Sequence, residues 1–166
     1  MNTIQVSVVF YRGMAPVRLW LHSHYGHVGF RYGDTLVEAT SDGVCARPFG
    51  SHESDRFARQ IAISLPSADQ AASYAAEQVG KPYDWGAIRQ DFIAPILRYK
   101  RFEDKQEDSW DCSRLVQSIL LHGGYPDFVT NWPITPQCIF LALTKDHPYG
   151  FPQLRLPDFT DPSVKL

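Results

Sequence analysis

The chain has few cysteines, and their spacing excludes two common uses of this residue. Three are present, Cys45, Cys112 and Cys138, and no two of them form a CxxC pair. An odd and widely spaced set is neither a disulfide framework nor a zinc ribbon. We therefore expect free thiols in a reducing compartment, which favours the cytoplasm.

Long apolar runs and an excess of one charge are also missing. No stretch approaches the ~20 apolar residues of a membrane-spanning helix, so we expect no integral membrane segment. Residues 1–5 lack the charged and apolar regions of a secretory signal, although a phage-borne or lysis-released protein would lack them too. The formal net charge is −2, which gives no broad attraction to nucleic acid or to an anionic membrane.

The residues that are present suit a single domain. The chain has 166 residues, of which 44% are hydrophobic and 20% charged, enough for a sizeable core. Alternating patterns predict strands and helical patterns predict helices, and a tail over about 157–166 is expected to be loose. The predicted strands are 4–10, 17–22, 27–32, 35–40, 43–48, 57–65 and 151–156, and the predicted helices follow Ser67, cover 86–97, begin near Cys112 and begin at Pro136. The first of these helices is predicted to start with a capping box of Ser67 and Gln70 and to end near 79. Strands first and helices later predict an α+β fold with an antiparallel sheet.

One predicted hairpin places a histidine beside a glutamate. Gly33-Asp34 is a favourable two-residue turn, so residues whose numbers sum to 67 face each other, and Gly29 faces Glu38. Because side chains alternate along a strand, His27 and Glu38 share one face and are diagonal neighbours. Glu38 interrupts the apolar run 36–39, where a carboxylate requires a partner. The alternative is a surface histidine and a solvated glutamate.

A second pattern places a cysteine in the first turn of a helix. The polar segment 109–111 precedes apolar positions with helical spacing, and Gly123 and Gly124 end the pattern. The apolar positions are Cys112, Leu115, Val116, Ile119 and Leu120. The helix dipole and the free N–H groups of the first turn favour a thiolate and offer donors to an oxyanion. The alternative is a buried structural cysteine.

A nucleophilic thiol needs a base, and the base needs an orienting group. If the hairpin face that carries His27 and Glu38 packs against the start of the Cys112 helix, the three form a Cys–His–Glu triad. His22 and His24 share a strand face and could ligate a metal, but no third ligand is evident. We therefore expect no metal and no cofactor.

Longer motifs in the chain resemble those of a known family. Two segments of the chain are similar to motifs of NlpC-type cell-wall cysteine peptidases. The first, Gly80-Lys81-Pro82-Tyr83-Asp84-Trp85-Gly86, resembles the family motif G-x-P-Y-x-W-G-G. The second, Asp111-Cys112-Ser113, resembles D-C-S-G and is followed by an apolar helix that ends at Gly123-Gly124. His27 and Glu38 precede the cysteine here. That order resembles the circularly permuted branch, the YiiX-like papain-fold proteins, and is shared by lecithin retinol acyltransferase-like enzymes. The resemblance covers roughly residues 15 to 142.

This resemblance implies a fold and a set of catalytic roles. The fold would be a papain-like, circularly permuted domain, in which an antiparallel sheet or barrel packs against a helix with the catalytic cysteine at its N-terminus. The domain would span residues 1–166. Cys112 would be the nucleophile, His27 the general base and Glu38 the group that orients the imidazole.

The resemblance also implies substrate-binding residues. Tyr83 would shape the pocket or the oxyanion region, and Asp111 and Ser113 would line the pocket and hold a substrate amine. The chain departs from the family at Ala87, in place of the second glycine of Trp-Gly-Gly, and at Arg114, in place of the glycine after Asp-Cys-Ser. Arg114 offers a guanidinium to a carboxylate or a phosphate instead.

The activity implied is hydrolysis of amide or peptide bonds through a thioester intermediate. The substrate would be a small cell-wall-type peptide or amide, in a bacterial or phage setting. Two other functions stay open at this point. One is a lipid-directed thioesterase or acyltransferase of the permuted papain-like group, and the other is a non-catalytic binding or structural module of the phage type.

Overall fold

The computed structural model describes residues 5–12, 24–50, 57–86, 108–125 and 134–144. These ranges hold five strands and three helices. The elements are β1 (Val6–Arg12), β2 (Tyr25–Tyr32), β3 (Thr35–Thr40), β4 (Gly43–Pro48), β5 (Phe57–Ile63), α1 (Ala68–Glu77), α2 (Cys112–His122) and α3 (Pro136–Thr144). The strands form one sheet in the order β4-β3-β2-β1-β5, and every neighbouring pair is antiparallel. The predicted α+β class with an antiparallel sheet is confirmed.

Some predicted elements fall outside the described residues. These are the strands predicted at 17–22 and 151–156, the helix predicted at 86–97 beyond its first residue, and the tail predicted from about 157. Within the described part of the chain, no helix has the length and apolar character needed to cross a membrane.

The main core lies between one face of the sheet and the three helices. Alternate strand residues and the inward side of α2 meet in one buried cluster. Its strand members include Val8, Phe10, Val28, Phe30 and Val37, and its α2 members are Cys112, Leu115, Val116, Ile119 and Leu120. Full burial of each Val, Leu, Ile or Phe contributes about 1.5–3 kcal/mol, so this contact fixes α2 on the sheet.

The hairpin of β2 and β3 has the predicted register. Its ladder runs from Tyr32 opposite Thr35 to Phe30 opposite Val37, around a turn in which Gly33 has φ 52°. Gly29 and Glu38 lie side by side beyond the last pair. A Cβ on Gly29 would lie 3.3 Å from Glu38 Cβ and 2.9 Å from a Leu36 methyl carbon. The two strands approach this closely because position 29 has no side chain.

A bulge interrupts the other edge of β2. Tyr11 faces His27 and Arg12 faces Tyr25, so Gly26 has no partner on β1. An extra residue of this kind bends a strand and changes the direction of the side chains beside it. His27 therefore lies between a bulge on its β1 side and the end of the ladder on its β3 side.

The start of α1 differs from the prediction. Ser67 precedes the helix, but its side chain makes no capping hydrogen bond, so the predicted capping box with Gln70 is wrong. The Ser67 backbone N–H instead donates to Gly123 O at 3.0 Å, and its ψ of 62° is far from the extended backbone typical of a capping residue. The helix ends at Glu77 and not near 79.

The predicted start of α3 is confirmed. Pro136 occupies the first position, where a missing N–H costs no helical hydrogen bond. The Thr135 hydroxyl accepts from the Cys138 N–H at 3.2 Å.

Candidate active site

Asp111 caps the helix that carries Cys112. Its Oδ1 accepts the N–H groups of Ser113 and Arg114, each at 2.9 Å, and its carbonyl accepts the N–H of Leu115 at 3.0 Å. Such a cap contributes about 1 kcal/mol. The N–H of Cys112 is not among the donors that this cap uses. It lies in the first turn of the helix, on the same residue as the sulfur.

The carboxylate of Asp111 interacts with the first turn of α2. The side chain is buried, and burial raises its pKa against the opposing effect of its hydrogen bonds to Arg114 and Ser113. Its Oδ2 lies 3.9 Å from Arg114 Nε. Ser113 is also buried, with its Oγ 3.9 Å from Cys112 Sγ. The first observed role of both residues is to build the start of α2.

Arg114 meets a carboxylate of its own chain. Its Nη1 donates to Asp84 Oδ2 at 2.9 Å, and Asp84 is buried. The sequence predicts that this guanidinium meets a carboxylate or a phosphate, but it gives no sign that Asp84 is the partner. The pair joins the Tyr83 segment to the first turn of α2.

Tyr83 reaches the same place through backbone pairing. It forms an isolated parallel bridge with Trp110, in which Trp110 N donates to Pro82 O at 3.0 Å and Asp84 N donates to Trp110 O at 3.1 Å. Burial and the neighbouring negative charge of Cys112 raise the pKa of Tyr83 well above its usual value. The phenol therefore stays neutral and keeps its O–H as a hydrogen-bond donor.

A buried glutamine fixes the residues just before α2. The Trp110 indole Nε1 donates to Gln78 Oε1 at 3.1 Å, and Gln78 Nε2 donates to Tyr74 O at 3.1 Å. These bonds tie the approach to Cys112 to the end of α1. They set where the first turn of α2 begins.

The predicted contact between His27 and Glu38 is present. His27 Nε2 and Glu38 Oε2 are 2.8 Å apart. The Glu38 side chain is only 6% exposed, whereas that of His27 is 28% exposed. A buried carboxylate at this distance fixes the ring and stabilises its protonated form.

The side chain of Cys112 is close enough to His27 to interact with the ring and raise its pKa. Since Nε2 is engaged by Glu38, Nδ1 is the ring nitrogen left for the thiol. Burial alone would lower the pKa of His27, but its interactions with Cys112 and Glu38 raise it from 6.5 to about 10. The ring is therefore a cation at neutral pH, beside a sulfur in a residue that is 6% exposed.

The three residues of the predicted triad approach one another differently from the expectation. Val28 and Phe30 pack with α2, so the helix covers the face opposite to the side chain of Glu38. His27 lies where the β2–β3 ladder has ended and beside the bulge, and its ring joins Cys112 on one side to Glu38 on the other. Sequence alternation alone gave no sign of this bulge.

Arg47 holds the second oxygen of Glu38 and was missed by the sequence analysis. Its Nε lies 2.6 Å from Glu38 Oε1. Burial alone would raise the pKa of Glu38, but the hydrogen bonds and charges of His27 and Arg47 lower it below its usual value. The sequence could have indicated this contact through the hairpin of β3 and β4. Cys45 faces Glu38 in that hairpin, so Arg47 is a diagonal neighbour of Glu38 on the same face of the sheet.

Only one of the two histidines considered as metal ligands lies in the described part of the chain. His22 lies outside the described residues, and the backbone N–H of exposed His24 donates to Gln137 Oε1 at 3.2 Å. Across residues 5–12, 24–50, 57–86, 108–125 and 134–144, no group of three or more His, Cys, Asp or Glu could hold a metal ion.

Compared with known proteins, the chain matches no family model and no curated protein. Its function is therefore inferred from the site itself. A thiol beside an imidazolium that a buried carboxylate holds in place can carry out nucleophilic acyl chemistry.

Proposed function

We propose that the protein is a cysteine hydrolase that cleaves amide or peptide bonds through Cys112, His27 and Glu38. The observation that carries the proposal is the 2.8 Å contact between His27 and Glu38, together with the interaction of Cys112 with His27 that raises the pKa of the ring. These residues supply a nucleophile, a base beside it and a group that orients the base.

In the acylation step, His27 holds the proton of the Cys112 thiol, and the thiolate attacks the substrate carbonyl carbon. A C–S bond forms while the carbonyl electron pair moves to oxygen. The N–H of Cys112 and the neutral hydroxyl of Tyr83 are the donors proposed for this oxyanion. When the intermediate collapses, the C–N bond breaks and the leaving nitrogen takes the proton from His27. The products are an amine and a thioester.

In the deacylation step, the now neutral His27 takes a proton from a water molecule as its oxygen attacks the thioester carbon. The C–S bond then breaks, the acid product leaves, and the thiolate is restored beside the imidazolium. Glu38 keeps the ring oriented and stabilises its charge through both steps. General acid–base catalysis of this kind contributes about 10²- to 10⁴-fold in rate.

The substrate class follows from the resemblance described in the sequence analysis. It favours a small cell-wall-type peptide or amide, handled by a circularly permuted papain-like domain from a bacterium or a phage. The support in the fold is a cysteine at the start of a helix that packs on an antiparallel sheet, with His27 and Glu38 on strands earlier in the chain.

The test is hydrolysis of a panel of short cell-wall-type peptides and amides by wild type, Cys112→Ala and Cys138→Ala. Cys138 is a matched control because it is also a free cysteine near the start of a helix, α3. We expect Cys112→Ala to lose at least about 10³-fold in kcat and Cys138→Ala to stay near wild type. Mass spectrometry should find the acyl group of an activated substrate on Cys112. A folded Cys112→Ala protein with unchanged activity would refute the proposal.

A further inference from the structure

We propose that Arg47 is a positioning residue of this site and keeps Glu38 ionised and correctly oriented toward His27. The inference rests on the proposed function, since it concerns how the same triad is held in its reactive form. It adds a residue that neither the triad motif nor the sequence analysis includes.

The contacts divide the Glu38 carboxylate between two partners. Arg47 Nε lies 2.6 Å from Oε1, and His27 Nε2 lies 2.8 Å from Oε2. With one donor on each oxygen, the carboxylate cannot rotate without losing a charge-assisted hydrogen bond. Arg47 therefore fixes the direction of the oxygen that orients the imidazole.

Burial makes the charge of Arg47 necessary as well. Glu38 is only 6% exposed, and desolvation favours its neutral form. A neutral Glu38 would donate a hydrogen bond to the ring in place of accepting one, and the ring would then be neutral and no longer the imidazolium beside Cys112. A guanidinium stays protonated over the whole working range of pH, so it keeps the carboxylate ionised.

In the described part of the chain, no other group near the Glu38 carboxylate supplies the permanent positive charge of Arg47. From β1, the Tyr11 ring centroid lies 5.5 Å from that of His27, and Tyr11 also interacts electrostatically with Arg47. From β4, Cys45 faces Glu38, and burial and the charge of Glu38 raise the pKa of this thiol. From α2, Cys112 contacts His27. Within the described residues, Arg47 is the permanent cation among these groups.

One atom of Arg47 indicates that the residue is not there for stability alone. Its Nη1 is buried and has no hydrogen-bond partner among the described residues. An unpaired buried donor costs about 1–3 kcal/mol. A side chain retained only to stabilise the sheet would be expected to satisfy this donor too, so the cost argues for a role at Glu38.

The test is the pH dependence of Cys112 alkylation by iodoacetamide between pH 4 and 9, with the ring ¹⁵N shifts of His27 measured in parallel. The variants are Arg47→Met, which removes the charge, Arg47→Gln, which keeps a donor without the charge, and Arg47→Lys, which keeps the charge. We expect Arg47→Met and Arg47→Gln to lose roughly tenfold in alkylation rate at pH 5–6, the equivalent of one pKa unit at Glu38. The rate should recover at higher pH, and Arg47→Lys should restore most of it.

A double-mutant comparison shows whether Arg47 acts through Glu38. In a Glu38→Gln background we expect Arg47→Met to have no further effect on the alkylation profile. A structural role would lower the alkylation rate in both backgrounds. That result, or an unchanged profile in Arg47→Met and Arg47→Gln, would overturn the inference. The two proposals can fail separately, because alkylation needs no substrate. The hydrolase proposal fails if Cys112→Ala retains hydrolysis, whereas the role of Arg47 fails on the alkylation results alone.

Discussion

Removal of the His27 ring should lower the reactivity of Cys112 and leave that of the other two thiols unchanged. The change is His27→Ala, and Cys45 and Cys138 serve as references within the same molecule because both are free and partly exposed. The reason is the contact between the His27 ring and the Cys112 side chain. Without the imidazolium, the sulfur of Cys112 loses its neighbouring positive charge.

The magnitude follows from the role proposed for the imidazole. A positioned proton acceptor contributes about 10²- to 10⁴-fold in rate. We take the low end of this range and reduce it by about one power of ten, because a sulfur that loses its proton readily is a weaker nucleophile. The net expectation is that wild-type Cys112 reacts about tenfold faster at pH 6.5 than it does in His27→Ala. The gap should close above pH 9.

The assay is alkylation by iodoacetamide at several pH values, quantified for each cysteine by mass spectrometry of peptides. Because Cys112 is 6% exposed, its rate is compared with its own rate in the variant and not with that of an open thiol. His27→Gln, which keeps a polar side chain of similar size, controls for altered access to the sulfur. Equal rates for Cys112 in wild type and His27→Ala at pH 6.5, with both proteins folded, would refute the reasoning. Cys112 would then be a structural cysteine, and a binding module would be the better account.

Three further predictions concern the supports of the site. The pKa of Glu38 is lowered in the folded protein, so its contribution to stability is present above pH ~4.5 and is lost as the pH falls through the folded value. The free energy of unfolding of Glu38→Gln should therefore depend less steeply on pH below 5 than that of wild type. Gly29→Ala should lower the free energy of unfolding by about 1–3 kcal/mol, because the new Cβ would lie 2.9 Å from a Leu36 methyl carbon, and urea unfolding that shows no loss would contradict the close approach of the strands. Asp111→Ala should cost about 1 kcal/mol in urea unfolding and slow Cys112 alkylation through fraying of the first turn, whereas Asp111→Asn should keep most of both.

The local half of the site could be predicted from the sequence. The turn Gly33-Asp34 sets the hairpin register, and the register places His27 diagonal to Glu38; both the ladder and the 2.8 Å contact agree with it. The cap by Asp111 was likewise recognisable as a polar residue before a helical apolar pattern. These features depend on residues close together in the chain, where alternation and helical period determine the geometry.

The features that could not be predicted depend on distant segments. The partner of Arg114 is Asp84, and the two meet only because Tyr83 pairs with Trp110 in an isolated bridge. The failed side-chain cap of Ser67 has a similar cause, since its backbone is held by Gly123 at the end of α2. Arg47 is different, because its diagonal position to Glu38 follows from a tight turn in the next hairpin and could have been found.

The arrangement around His27 separates two requirements that a triad must meet. The pair of His27 and Glu38 is fixed within one hairpin, and Arg47 is added by the adjacent strand. The sulfur is carried by α2, which packs against the face of the sheet opposite to the Glu38 side chain and whose first turn is capped by Asp111. A substitution that loosens α2 should therefore reduce Cys112 reactivity while the His27–Glu38 contact survives. A substitution at Arg47 should change the ionisation of that contact while α2 stays in place, so the two halves of the site can be perturbed one at a time.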